Sequence, residues 1–103
     1  MFLKFAGITT DQHQVFRAAV GKSYYAFELY YCPLFRSWFL DILDADGKTP
    51  ICRGRRVTTN YMFENILLPF SGKIYAKTIV TGNPPIGQFC WGKTHLLGLD
   101  TEE

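Results

Sequence analysis

The residues whose types and spacing suggest chemistry are few. Asp41, Asp44 and Asp46 fall within six positions and are followed by Gly47. Closely spaced carboxylates ahead of a glycine are the material of a calcium loop, which takes oxygen ligands from positions 1, 3, 5 and 12 around a glycine at position 6. With Gly47 at position 6, position 1 is Ile42 and position 12 is Arg53. An aliphatic side chain and a cation cannot serve there, so the frame fails. Asp-Gly between two apolar segments is also a strong β-hairpin signal, because both residues tolerate positive φ. The acidic residues are therefore expected to form a turn, with Asp41 pointing outward to solvent.

The other reactive residue types are dispersed. His13 and His95 lie far apart, and no GxSxG elbow, HExxH pair or phosphate-binding glycine loop is present. A metal held by the three aspartates with His95, or a hydrolytic site using His95 with Asp41 or Cys90, would have to be assembled by the fold, and no motif supports either. No cofactor or metal is expected. The cysteines, Cys32, Cys52 and Cys90, are odd in number and lack CxxC spacing, which favours reduced thiols made in a cytoplasmic environment. The one basic cluster is Arg53, Arg55 and Arg56. Strand alternation places Arg53 and Arg55 on one face and Arg56 on the other. On an oligonucleotide-binding barrel, these arginines interleaved with Tyr24, Tyr30 or Phe39 would stack bases and meet phosphates. A net charge of +2 supplies little of the field that nucleic-acid binding relies on, so a solvated strand or pairing with a neighbouring subunit is preferred.

The elements that position these residues are strands. Expected strands run over His13–Val20, Ser23–Cys32, Ser37–Leu43, Pro50–Thr59, Lys73–Val80 and near Lys93–Leu99, each with alternating or aromatic-rich patterning. Gly21-Lys22 is a tight-turn candidate, Pro33 ends the second strand, and 81–88 is a loop by its glycine, asparagine and prolines. Asn60–Leu68 fits either a short helix or an irregular covering segment. At 103 residues the chain reads as one domain, spanning 1–103. Its class is all-β: a small antiparallel barrel or sandwich of about six strands, with a possible short helix. Hydrophobic content of 48% excludes a disordered protein. No apolar run reaches the roughly 20 residues of a membrane-spanning helix, and the start lacks the features of a signal peptide.

The expected core is Phe27, Leu29, Trp38, Leu40 and Ile42. That leaves aromatic residues over. Both faces of the Ser23–Cys32 strand carry tyrosines, and Phe39 and Leu43 lie opposite Trp38 in parity. Either a segment such as Tyr61–Phe70 covers the second face, or another protein does; contact with another chain is preferred. The candidate protein-contact residues are Tyr24, Tyr30, Phe39, Leu43, Arg53, Arg55 and Arg56.

Several spaced elements occur in a fixed order. Phe16, Gly21 and Tyr24 fit F-x-x-x-x-G-x-x-Y. The aromatic pair Tyr30-Tyr31 precedes Trp38-Phe39-Leu40-Asp41-Ile42-Leu43-Asp44, then Asp46-Gly47-Lys48-Thr49-Pro50-Ile51, then Gly54-Arg55-Arg56; Gly92 with Leu96-Leu97 follows near the end. In order and spacing, from Phe16 to Leu99, the chain resembles the baseplate plug proteins of contractile-tailed phages and prophages. The segments Cys32–Arg36, more apolar, and Asn83–Pro85, less acidic, depart from the pattern. The resemblance implies a non-enzymatic virion protein of the tail baseplate, assembled in the host cytoplasm. Its partners would be the central hub and tail tube near the tail axis, with several copies arranged in a ring and neither membrane nor nucleic acid bound. The alternative function from the residues themselves is single-stranded nucleic-acid binding.

Overall fold

In the computed structural model, which describes residues 2–20, 23–59, 72–82 and 84–100, the chain forms two antiparallel sheets. The strands are β1 (Phe2–Lys4), β2 (His13–Val20), β3 (Ser23–Cys32), β4 (Ser37–Asp44), β5 (Pro50–Arg56), β6 (Lys73–Thr78) and β7 (His95–Asp100). One sheet has the order β2-β3-β4-β5, the other β1-β7-β6. They form a sandwich, not a closed barrel, and the described residues contain no helix. The Gly21-Lys22 turn and the Asn60–Leu68 and Tyr61–Phe70 segments lie outside the described residues.

The four-stranded sheet follows sequence order because each strand returns beside its predecessor. Pairing of β2 with β3 runs without interruption from His13↔Tyr30 to Val20↔Ser23. Pairing of β3 with β4 runs from Tyr25↔Asp44 to Cys32↔Ser37. In β2 the exposed residues His13, Val15, Arg17 and Ala19 alternate with the more buried Gln14, Phe16, Ala18 and Val20, a period of two that places one face inward.

The core lies between the sheets. Phe27, Leu29, Trp38, Leu40 and Ile42 are all fully buried, as expected. They meet Ile74, Ala76, Leu97 and Leu99 of the other sheet in one hydrophobic cluster. Phe5, in the connection after β1, caps one end of it, with ring centroids 5.0 Å from Phe27 and 5.4 Å from Phe16. Trp38 meets Trp91 edge-on at 5.7 Å and donates its indole N–H to the Gly87 carbonyl at 2.9 Å. A buried indole thus keeps its polar atom satisfied. The loop 81–88 is in this way tied to the core by its Gly87 carbonyl.

Two expectations about β4 and β5 are corrected. The register passes from Leu40↔Arg55 to Ile42↔Cys52, so Arg53 and Gly54 together oppose Asp41. This is a β-bulge, made possible by Gly54 at φ 72°. The extra residue shifts the parity of everything beyond it. Arg55 lies opposite Leu40 on the core-facing side, whereas Arg56 lies opposite Phe39 on the outer side. Arg53, next to inward-facing Cys52, also belongs to the outer side. The pairing of Arg53 with Arg55 on one face is therefore wrong; Arg53 shares its face with Arg56. Second, Asp41 does not face solvent. It lies on the outer side yet is only 6% exposed, because neighbouring groups close over it and bond it.

Candidate contact surface

The acidic turn is settled by its hydrogen bonds. The Gly47 N–H donates to the Asp44 carbonyl at 2.8 Å, with Gly47 at φ 72°. Asp46 Oδ1 accepts from the Lys48 and Thr49 N–H groups at 2.9 and 3.1 Å, and its Oδ2 accepts from the Thr49 hydroxyl at 3.0 Å. These bonds hold the Asp46 carboxyl below the usual carboxylate range. Asp46 is spent on the turn, and among the described residues no group of three acidic, histidine or cysteine side chains is placed to hold a metal.

Asp41 is equally occupied. Its Oδ1 accepts from the Gly54 N–H at 2.7 Å and from the Tyr30 hydroxyl at 3.1 Å. The carboxylate thus pins the bulge. Tyr30 is held above the ordinary phenol range by burial and by the adjacent Asp41. Asp41 belongs to the outer side of the four-stranded sheet and His95 to the other sheet, so the two do not combine. His95 is fully buried, and burial lowers its pKa. Burial pushes the Cys90 thiol up to about 12. A cysteine nucleophile requires the opposite shift. All three cysteines are free; Cys90 is buried, whereas Cys32 and Cys52 are only half-buried.

The structure separates the expected contact residues. Tyr30 and Phe39, paired across β3 and β4, stack with centroids 5.9 Å apart. Arg56 lies opposite Phe39, and Arg53 adjoins Gly54, whose N–H bonds the same Asp41 oxygen as the Tyr30 hydroxyl. These four form one group. Tyr24 is exposed but lies six residues along β3, roughly 20 Å from Tyr30. Leu43 is only 5% exposed and offers little contact area. It stands in a row with Ala26 and Arg17, and Arg17 donates its Nε–H to the Ala45 carbonyl at 3.2 Å. The arginine stem therefore runs over Ala26 and Leu43. Arg55 is on the side facing away from the group.

The sequence reading named Tyr24, 65% exposed, but missed two equally or more exposed residues, Leu34 and Phe35. Leu34 is 84% exposed and Phe35 65%, both at the tip of the β3–β4 hairpin. Phe35 meets Phe39 edge-on at 6.3 Å, which joins the tip to the Phe39–Tyr30 stack. The signal was present: turn tips are ordinarily polar, yet two large apolar residues, Leu34 and Phe35, directly follow the turn proline Pro33. Phe35, Phe39 and Tyr30 make a connected strip of rings, with Leu34 next to Phe35 at the tip, Arg36 following it and Arg56 opposite Phe39.

A family model described as cyanophage baseplate Pam3 plug gp18 matches residues 6–97. The chain belongs to this phage baseplate plug family. No curated protein matches it significantly. The match takes in β2 to β6, the hairpin tip and most of the core, and stops inside β7. Membership makes the plug a baseplate component of the virion tail, a structural role consistent with a surface that carries exposed rings and arginines.

Proposed function

We propose that this plug is a rigid adaptor that packs against the central hub and tail tube near the tail axis, in several copies per baseplate, after assembly in the host cytoplasm. The family match over residues 6–97 carries the reading. The Leu34–Phe35 hairpin tip supports it: two large apolar side chains are held mostly in water, and Phe35 touches the sheet through an edge contact with Phe39. Burying such side chains contributes about 1.5–3 kcal/mol each, so the tip suits a protein whose working state is an assembly.

Tyr30, Phe39, Arg53 and Arg56 extend the contact away from the tip, and Tyr24 makes a separate one. Leu43 and Arg55 contribute only indirectly, through the shape of the sheet. The reading requires no catalysis. Co-expression with the hub and tube proteins of the same tail tests it, followed by size-exclusion chromatography. Co-elution that is lost when Leu34 and Phe35 are both changed to Ser is the expected result. A chain that elutes alone in every combination removes the adaptor role.

A further inference from the structure

We propose that the groove beside the hairpin tip binds an acidic, extended segment of a neighbouring baseplate protein; the origin of that segment rests on the adaptor reading above. The groove has a volume of about 360 Å³ and is lined by Arg36, Ser37, Arg56, Thr59, Pro85 and Ile86, among others. None of its described lining residues is acidic. Arg36 and Arg56 are both exposed, and among the described residues neither guanidinium has a hydrogen-bond or ion-pair partner. The groove is open to solvent, with room for a short length of extended chain.

A second observation marks Arg36. It is the one described non-glycine residue with positive φ, at 51°. The hairpin loop closes by two turn bonds, from the Phe35 N–H to the Cys32 carbonyl and from the Arg36 N–H to the Pro33 carbonyl, both 3.2 Å. The last loop position must turn left-handed to re-enter β4, a position that suits glycine or asparagine. An arginine there costs backbone energy, and its guanidinium makes no bond in return within the described chain. Strain of this kind points to a use for the side chain outside the fold.

The chemistry of the occupant follows from the two cations. A guanidinium presents a planar fork that matches a carboxylate with two parallel N–H···O bonds. A polyphosphate chain fits less well. Two cations release few counterions, and the aromatic side chain lining the groove, Trp38, is fully buried and offers no face for a base. Carboxylates on a polypeptide answer both guanidiniums, and the Pro85–Ile86 wall meets its apolar atoms.

The test uses the full chain and three probes: an end-blocked peptide of alternating Asp and Gly, its Asn counterpart, and single-stranded oligo-dT. Titration followed by backbone amide NMR is expected to show saturable shifts at Arg36, Ser37, Arg56 and Thr59 with the Asp peptide, and none with the Asn peptide. Arg36→Gly relieves the left-handed strain, so its melting temperature is expected to hold or rise while peptide affinity falls about fivefold; Arg36→Gly with Arg56→Gln is expected to lose on the order of tenfold or more. Absence of saturable shifts, or affinity unchanged in the double variant, overturns the proposal. So does oligo-dT binding more tightly than the Asp peptide through the same arginines. The adaptor reading is scored apart, by co-elution of the unaltered chain with hub and tube proteins. Its survival alongside failed peptide binding removes only the acidic segment.

Discussion

Replacement of Asp41 by Ala tests how the outer face is built. The carboxylate is 6% exposed and accepts two hydrogen bonds, from the Gly54 N–H at 2.7 Å and the Tyr30 hydroxyl at 3.1 Å. A hydrogen bond to a charged group contributes about 1.5–3 kcal/mol, and the shorter Gly54 bond belongs in that range. The Tyr30 hydroxyl is half-buried and can turn partly to water, so its loss adds about 0.5 kcal/mol. Asp41→Ala is therefore expected to destabilise by about 2–3 kcal/mol, a large part of the 5–15 kcal/mol of a typical domain. Asp41→Asn keeps an acceptor and is expected to lose about half as much. Tyr30→Phe removes only the weaker bond and is expected to cost no more than about 1 kcal/mol. Urea unfolding at pH 7 reads the differences as midpoint shifts at constant slope. A double-mutant cycle of Asp41→Ala with Tyr30→Phe is expected to show coupling on the order of 0.5 kcal/mol. Should Asp41→Ala cost less than about 0.5 kcal/mol, the value of an ordinary surface residue, the carboxylate does not pin the bulge and the reasoning fails.

Three further outcomes are expected. Gly47→Val forces a β-branched residue to φ 72° and should destabilise by about 1–2 kcal/mol, while millimolar calcium leaves the melting temperature of the unaltered chain unchanged because Asp46 already serves the turn. His95 is buried with its folded pKa below the unfolded one, so protonation favours the unfolded chain: its contribution is complete above about pH 6.5 and declines as pH falls toward the folded pKa. Melting temperatures between pH 7 and 5 should fall, and His95→Leu should flatten that part of the profile. Leu34→Ser with Phe35→Ser removes exposed apolar surface without touching the core, so light scattering should report less self-association while urea stability stays within about 0.5 kcal/mol.

Much of the sandwich was legible because its strands alternate. Phe27 and Leu29 on β3, with Trp38, Leu40 and Ile42 on β4, share one face by parity alone, and all five are fully buried. Strand ends were less legible. β5 stops at Arg56 and β7 starts at His95, since polar termini such as Thr58–Thr59 and Lys93–Thr94 carry no periodic signal. β1 was missed because three residues are too few to show alternation; it exists through pairing with β7. The bulge was hidden for another reason. Gly54 reads as a weak strand residue, and only the register shows that it admits an extra position and exchanges the faces of the arginines after it. Asp41 illustrates the same limit: parity gave its side of the sheet correctly, but burial there depends on Tyr30 and Gly54, which come from different strands. Family membership, in contrast, was legible from the order of short motifs around Trp38 and Gly47, and the family match covers them.

The most direct test of the adaptor account is a cryo-electron-microscopy reconstruction of the intact tail that contains this plug, resolved well enough to place its two sheets. The account predicts copies of the sandwich near the tail axis, with Leu34, Phe35 and Phe39 buried against a hub or tube protein. A baseplate in which that strip faces solvent, or from which the plug is missing altogether, would contradict it.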